Sequence, residues 1–143
     1  MRLINKVIVA GFIAIALIHF GPHGGTMPFP GVSPIDHKGL CVLVNYETNN
    51  LPQEYVSVVN SLQSGDLSVW LDSKCAKLED GTTAHRVWDE NVDLTQQPKF
   101  WQDAFAKRQQ PPAIMISNGR KGFSGPLPKD KAEVQALLEK YAR

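Results

Sequence analysis

No two cysteines in this sequence lie close together. The pair it has, Cys41 and Cys75, is separated by a long stretch, and neither belongs to a C-x-x-C motif. The usual dithiol redox motif and the paired cysteine ligands of a structural zinc are both absent. The four histidines, His19, His23, His37 and His85, are scattered without ligand spacing. The acidic stretch Asp89, Glu90, Asn91, Asp93 lacks the glycine and the distal Glu of a calcium loop. No metal and no cofactor is therefore expected. An excess of one charge is missing too: the net charge is +1. Lys107-Arg108 and Arg120-Lys121 are short basic pairs without interleaved aromatics, so no nucleic-acid partner is implied.

Long hydrophobic runs are also lacking. Arg2 and Lys6 precede one uncharged apolar run, Val7 to Ile18, with Phe20 just beyond. As a helix, Val7 to Phe20 spans about 21 Å, short of a hydrocarbon core of about 30 Å. Counting from Leu3, with Lys6 snorkelling, lengthens it. His19, Phe20 and Pro22 make a poor cleavage site, and no lipobox cysteine follows. Residues 1–20 thus read as an uncleaved signal anchor in preference to a cleaved signal peptide, with residues 3–20 meeting the membrane. Arg2 and Lys6 on the inner side leave the rest outside the cytoplasm. The alternative is a secreted or periplasmic chain after cleavage. Residues 21–39 hold four prolines and five glycines and read as a linker. Residues 40–143 are then one domain of about 100 residues.

Within that domain the most legible stretch runs from Pro111 to Gly125. Ala113 to Ser117 is a short apolar run bounded by breakers, suited to a strand covered on both faces. Asn118-Gly119 suits a type I′ turn, and Gly122 to Gly125 is the returning strand. Asp130 with Glu133 fits a capping box, and Val134, Leu137, Leu138 and Tyr141 form one helical stripe. Earlier, Leu40 to Tyr46 reads as a buried central strand. Asn50 is a candidate cap and Pro52 a first-turn residue for a helix carrying Tyr55, Val58, Val59 and Leu62 on one face. Ser64-Gly65 ends it. Leu67 to Leu71 reads as a second strand, so residues 40–72 form a β-α-β unit with a parallel pair. His85 to Asp89 is a candidate short extra strand. Gln97-Pro98 opens a helix to about Arg108 with Phe100, Trp101, Ala104 and Phe105 on its apolar face.

This order, together with Val42-Leu43-Val44-Asn45-Tyr46 as central strand, Pro112 before Ala113 to Ser117, the Asn118-Gly119 hairpin and the closing helix, resembles the thioredoxin-like superfamily. The run from Ile116 to Pro128 also looks like uncharacterised thioredoxin-like proteins of bacteria and phages. The resemblance implies an α/β fold, a three-layer α/β/α sandwich with a mixed sheet, here preceded by an N-terminal hydrophobic helix. It further implies a cis peptide before Pro112. Thioredoxins carry C-x-x-C where this chain has Asn49 to Glu54, without sulfur. Dithiol exchange needs an attacking and a resolving thiol, so the resemblance implies a redox-inactive domain.

Reading Cys41 and Cys75 at opposite ends of parallel strands puts about 16 Å between them. A disulfide needs Cα atoms within about 7 Å, so no Cys41–Cys75 bond is expected. Cys75, in a loop near the carboxyl edge of the sheet, is then the one candidate reactive thiol. Glu47 and Asp72 follow the same edge, a carboxylate pair of the kind acid–base work needs if one is buried. The leading functional expectation is a membrane-tethered module binding a protein or peptide through Thr48, Asn49, Asn50, Leu51, Pro111 and Pro112. A single-thiol redox enzyme using Cys75, or a structural envelope or virion component, are the alternatives.

Overall fold

The computed structural model describes residues 33–143. The expected anchor, residues 1–20, and most of the expected linker lie outside the described residues. Among the described residues, no helix is long and apolar enough to cross a membrane.

Strand β1, Cys41–Tyr46, is the axis of the domain. Its first five residues are buried because the sheet continues on both sides of it and helices lie on both faces. Helix α1, Gln53–Ser64, and helix α2, Asp66–Lys74, follow. Strand β2 is His85–Asp89, helix α3 is Lys99–Ala106, and strands β3, Ala113–Ser117, and β4, Gly122–Pro126, form a hairpin. Helix α4, Lys131–Tyr141, closes the chain. The sheet is mixed, in the order β2-β1-β3-β4, with β2 parallel and β3 antiparallel to β1, and β4 antiparallel to β3.

Residues paired across strands share a face. Leu43, Asn45, Trp88 and Met115 share one, and α3 covers it: Trp88 stacks edge-on against Trp101 at 5.7 Å and Phe105 at 6.0 Å. Val44, Tyr46, Val87, Ile116 and Phe123 share the other, where Gln63 of α1 donates to the Tyr46 hydroxyl and Phe123 meets Tyr141 of α4. The molecule is therefore an α/β domain with a four-stranded mixed sheet and helices on both sides.

Three sequence expectations are corrected. Leu67 to Leu71 is not a strand but the body of α2. Alternation would bury Val69, yet Val69 is 68% exposed while Leu67, Ser68 and Leu71 are buried, a helical spacing. The parallel neighbour of β1 is His85–Asp89, so the crossover carries two helices. Asn118-Gly119 is not a type I′ turn, because Asn118 keeps a negative φ and only Gly119, at φ 86°, is left-handed. The loop has four residues: the Asn118 amide donates to the Lys121 carbonyl, and the Asn118 side-chain oxygen accepts from the Arg120 and Lys121 amides. Asn50 does not cap α1; Pro52 occupies that position, without a side-chain cap.

The packed unit begins before residue 40. Ile35 is fully buried, and its amide donates to Ser117 Oγ at 2.8 Å. Pro34 lies against Gly122, where a Cβ would come within 2.3 Å of Pro34 Cδ and 2.4 Å of the Ile116 carbonyl oxygen. Gly122 therefore has room for no side chain, and residues 33–39 form a strap across the turn end of the hairpin.

Candidate functional site

The expected binding residues come together at the carboxyl end of β1. Past Tyr46 the chain makes a single 3-10 turn, Thr48–Asn50, whose three residues are all exposed. That turn is held by the last residue of β2. The Asp89 carboxylate accepts from the Thr48 amide at 2.7 Å and the Thr48 hydroxyl at 2.5 Å, and from the Asn91 amide and side chain at 2.9 and 3.1 Å. These bonds, the Thr48 hydroxyl foremost, favour the charged form and draw the Asp89 carboxyl down to about 2.

The β1–β3 register sets Ala113 opposite Asn45, so Pro112, the residue before it, lies at the carboxyl end of β1. The Pro111–Pro112 peptide is cis. The segment entering it is fastened from beneath. Asn45, 2% exposed, donates to the Gln109 carbonyl at 3.0 Å and to Glu90 Oε1 at 3.2 Å. Glu90 also pairs with the Arg108 guanidinium, which lies 4.0 Å over the Phe105 ring and donates to the Phe105 carbonyl. The Gln109 side chain donates to the Ser124 carbonyl of β4 at 3.0 Å. Residues 108–109 are thus tied to β1, α3 and β4 together, and this fixes where Pro111 and Pro112 emerge. Neither proline has an amide hydrogen. The Pro112 carbonyl accepts from Leu127, which leaves the Pro111 carbonyl as the pair's unbonded acceptor among the described residues.

Sequence reasoning picked out Thr48 to Leu51 and the two prolines but missed Asn45, Asp89, Glu90, Arg108 and Gln109. One signal was present: Asn45 interrupts an otherwise apolar strand, and a buried amide must find partners.

The other expected residues lie elsewhere. Cys75 is not at the carboxyl edge. It ends α2, its amide donating to the Leu71 carbonyl, and the next amide, Ala76, donates to Leu40 at the amino end of β1. Burial pushes the Cys75 thiol up to about 12, with Cys41 and Asp72 adding to the rise. Asp72 belongs to α2 and not to a strand end. It takes bonds from Thr83 and from His85, the first residue of β2, and His85 foremost holds its carboxyl below the ordinary range. Glu47 follows the opposite end of the sheet, so the two carboxylates do not form a pair. Among the described residues, no group of three or more His, Cys, Asp or Glu side chains is placed to hold a metal ion.

Chemically, this pole offers the exposed Asn49 and Asn50 side-chain amides, carbonyl acceptors and a fixed turn. It presents surfaces for hydrogen bonding and no activated nucleophile. Comparison with protein-family models, with curated proteins and with solved structures finds no match to this chain.

Proposed function

We propose that this chain is a membrane-tethered, redox-inactive thioredoxin-like domain that binds a protein or peptide at the carboxyl end of β1. The observation that carries the proposal is the convergence there of the Asp89-pinned turn Thr48–Asn50 with Pro111 and Pro112, on a sheet ordered β2-β1-β3-β4. The thioredoxin-like assignment is supported by the same strand order and directions. The redox-inactive part is supported by the lack of sulfur in Asn49 to Glu54. Tethering rests on the basic flank and apolar run of residues 2–20. The burial of Cys75 lends the single-thiol enzyme no support.

A partner peptide in extended form would donate to the Pro111 carbonyl and take donors from the exposed turn. The test uses isotope-labelled full-length chain in detergent micelles, titrated with a library of extended peptides. Binders are expected to shift the amides of Thr48, Asn49, Asn50, Leu51 and Gln110. Asp89→Asn, which unfastens the turn, is expected to weaken them about tenfold, some 1.4 kcal/mol. Peptides that bind while leaving these amides unmoved would sink the proposal.

A further inference from the structure

Cys41 and Cys75 are both free and buried, 0% and 6% exposed. The separation expected from parallel strands does not apply, since residues 67–71 are helical and α2 delivers Cys75 to the amino end of β1. The Ala76 amide donates to the Leu40 carbonyl at 2.9 Å. Leu40 precedes Cys41 and Ala76 follows Cys75, so one peptide step, one hydrogen bond and one more peptide step join the two Cα atoms. Standard bond lengths cap that path at about 8 Å, and any bend shortens it. A disulfide takes Cα atoms ~4.4–6.8 Å apart. The sulfurs also sense each other, since Cys41 adds to the rise of Cys75.

His37 Nδ1 lies 2.8 Å from the Lys38 carbonyl oxygen and 3.7 Å from Cys41 Sγ. A carbonyl only accepts, so the Nδ1 proton is committed to Lys38, and His37 meets Cys41 as a neighbour in contact with its sulfur.

We propose that Cys41 and Cys75 are a latent intramolecular disulfide, closed when the chain folds in the presence of a disulfide oxidant such as oxidised glutathione. In the first exchange one cysteine thiolate attacks the glutathione disulfide; its S–S bond breaks and one glutathione thiolate leaves. In the second, the other cysteine thiolate attacks the protein sulfur of the mixed disulfide and displaces the second glutathione. Two protein thiols are oxidised, one glutathione disulfide is reduced to two glutathiones, and the two thiol protons pass to them. Both sulfurs are buried once folding is complete, so the exchange belongs to folding and the finished bond is shielded from reductant. It closes the loop holding β1, α1 and α2, at the end of the sheet away from Thr48 and Pro112.

The test refolds the reduced full-length chain in detergent micelles across a series of reduced-to-oxidised glutathione ratios, with acid quenching, alkylation and mass mapping. Oxidising ratios are expected to give a monomer lighter by two hydrogens, with peptides around residues 41 and 75 joined. Its near-ultraviolet circular dichroism should be native and its thermal midpoint higher by roughly 10 °C. Cys75→Ala is expected to give one midpoint in both buffers; should it not fold, Cys41→Ala serves the same comparison. A folded chain that keeps both thiols at every ratio overturns the proposal. So does a linked form that is non-native, intermolecular, or no more stable than the reduced one.

Discussion

Two kinds of ionisable side chain give this domain opposite pH sensitivities. Burial pushes Cys41 from an ordinary 9.0 up to about 11 and Cys75 up to about 12. The unfolded chain therefore loses these protons first as pH rises. Their contribution to stability is whole below pH 9, falls above it, and is lost as the folded values are passed. Denaturant unfolding of the reduced protein should show a loss on the order of 2–4 kcal/mol by about pH 10.5, absent when both cysteines are alanine. At neutral pH both thiols should resist alkylation until the chain unfolds. Asp89 behaves the other way. Its carboxyl is lowered to about 2 by Thr48 and Asn91, so its contribution is present above the unfolded value near 4 and disappears as pH falls through about 2. Asp89→Asn should flatten the acid limb of the stability curve in that window and speed hydrogen exchange at the Thr48 amide. An unchanged limb would mean the turn is held by something other than this carboxylate.

The elements that sequence alone made legible are those whose pattern has one reading. The apolar run Leu40 to Tyr46, the run Ala113 to Ser117 and the stripe Val134, Leu137, Leu138 and Tyr141 each match the observed strands and helix. Asp130 caps α4 through the Ala132 amide. Leu67 to Leu71 was ambiguous because five residues hold too little of either period, and Val and Trp favour strands. What decides it is tertiary: Leu67 and Leu71, four apart, both reach the core, while Val69 points to solvent. A paired test separates the readings. Leu71→Ala should cost about 2–5 kcal/mol. Val69→Ala should change stability by no more than about 0.5 kcal/mol, with a slight gain from helix propensity. A buried-strand Val69 would instead lose well over 1 kcal/mol on the same change. The candidate site was only half legible for a related reason. Turn-formers and prolines announce themselves locally, but Asp89 and Glu90 act through residues some forty positions away, at Thr48 and Asn45.

At the scale of the whole molecule, the point of chain entry matters most. The strap carrying Ile35 reaches the sheet at Ser117, paired with Cys41 at the amino end of β1, whereas Thr48 and Pro112 lie beyond its carboxyl end. The strand between them is 6 residues long, or about 20 Å. If residues 3–20 anchor the chain, at most residues 21–32 remain as spacer, with a reach of no more than about 40 Å when fully extended. A domain attached at one end of its sheet by a short spacer holds the opposite end outward, which suits a site for soluble partners. The full-length chain in lipid vesicles tests this. Environment-sensitive dyes on Lys38→Cys and Asn49→Cys, with the native thiols buried, would be quenched by headgroup-labelled lipids. Strong quenching at position 38 with little at position 49 is the expected result. Equal quenching at both positions would mean that the domain lies flat on the bilayer, and the proposed site would then face lipid rather than a peptide. Failure of the chain to co-float with the vesicles would remove the tether.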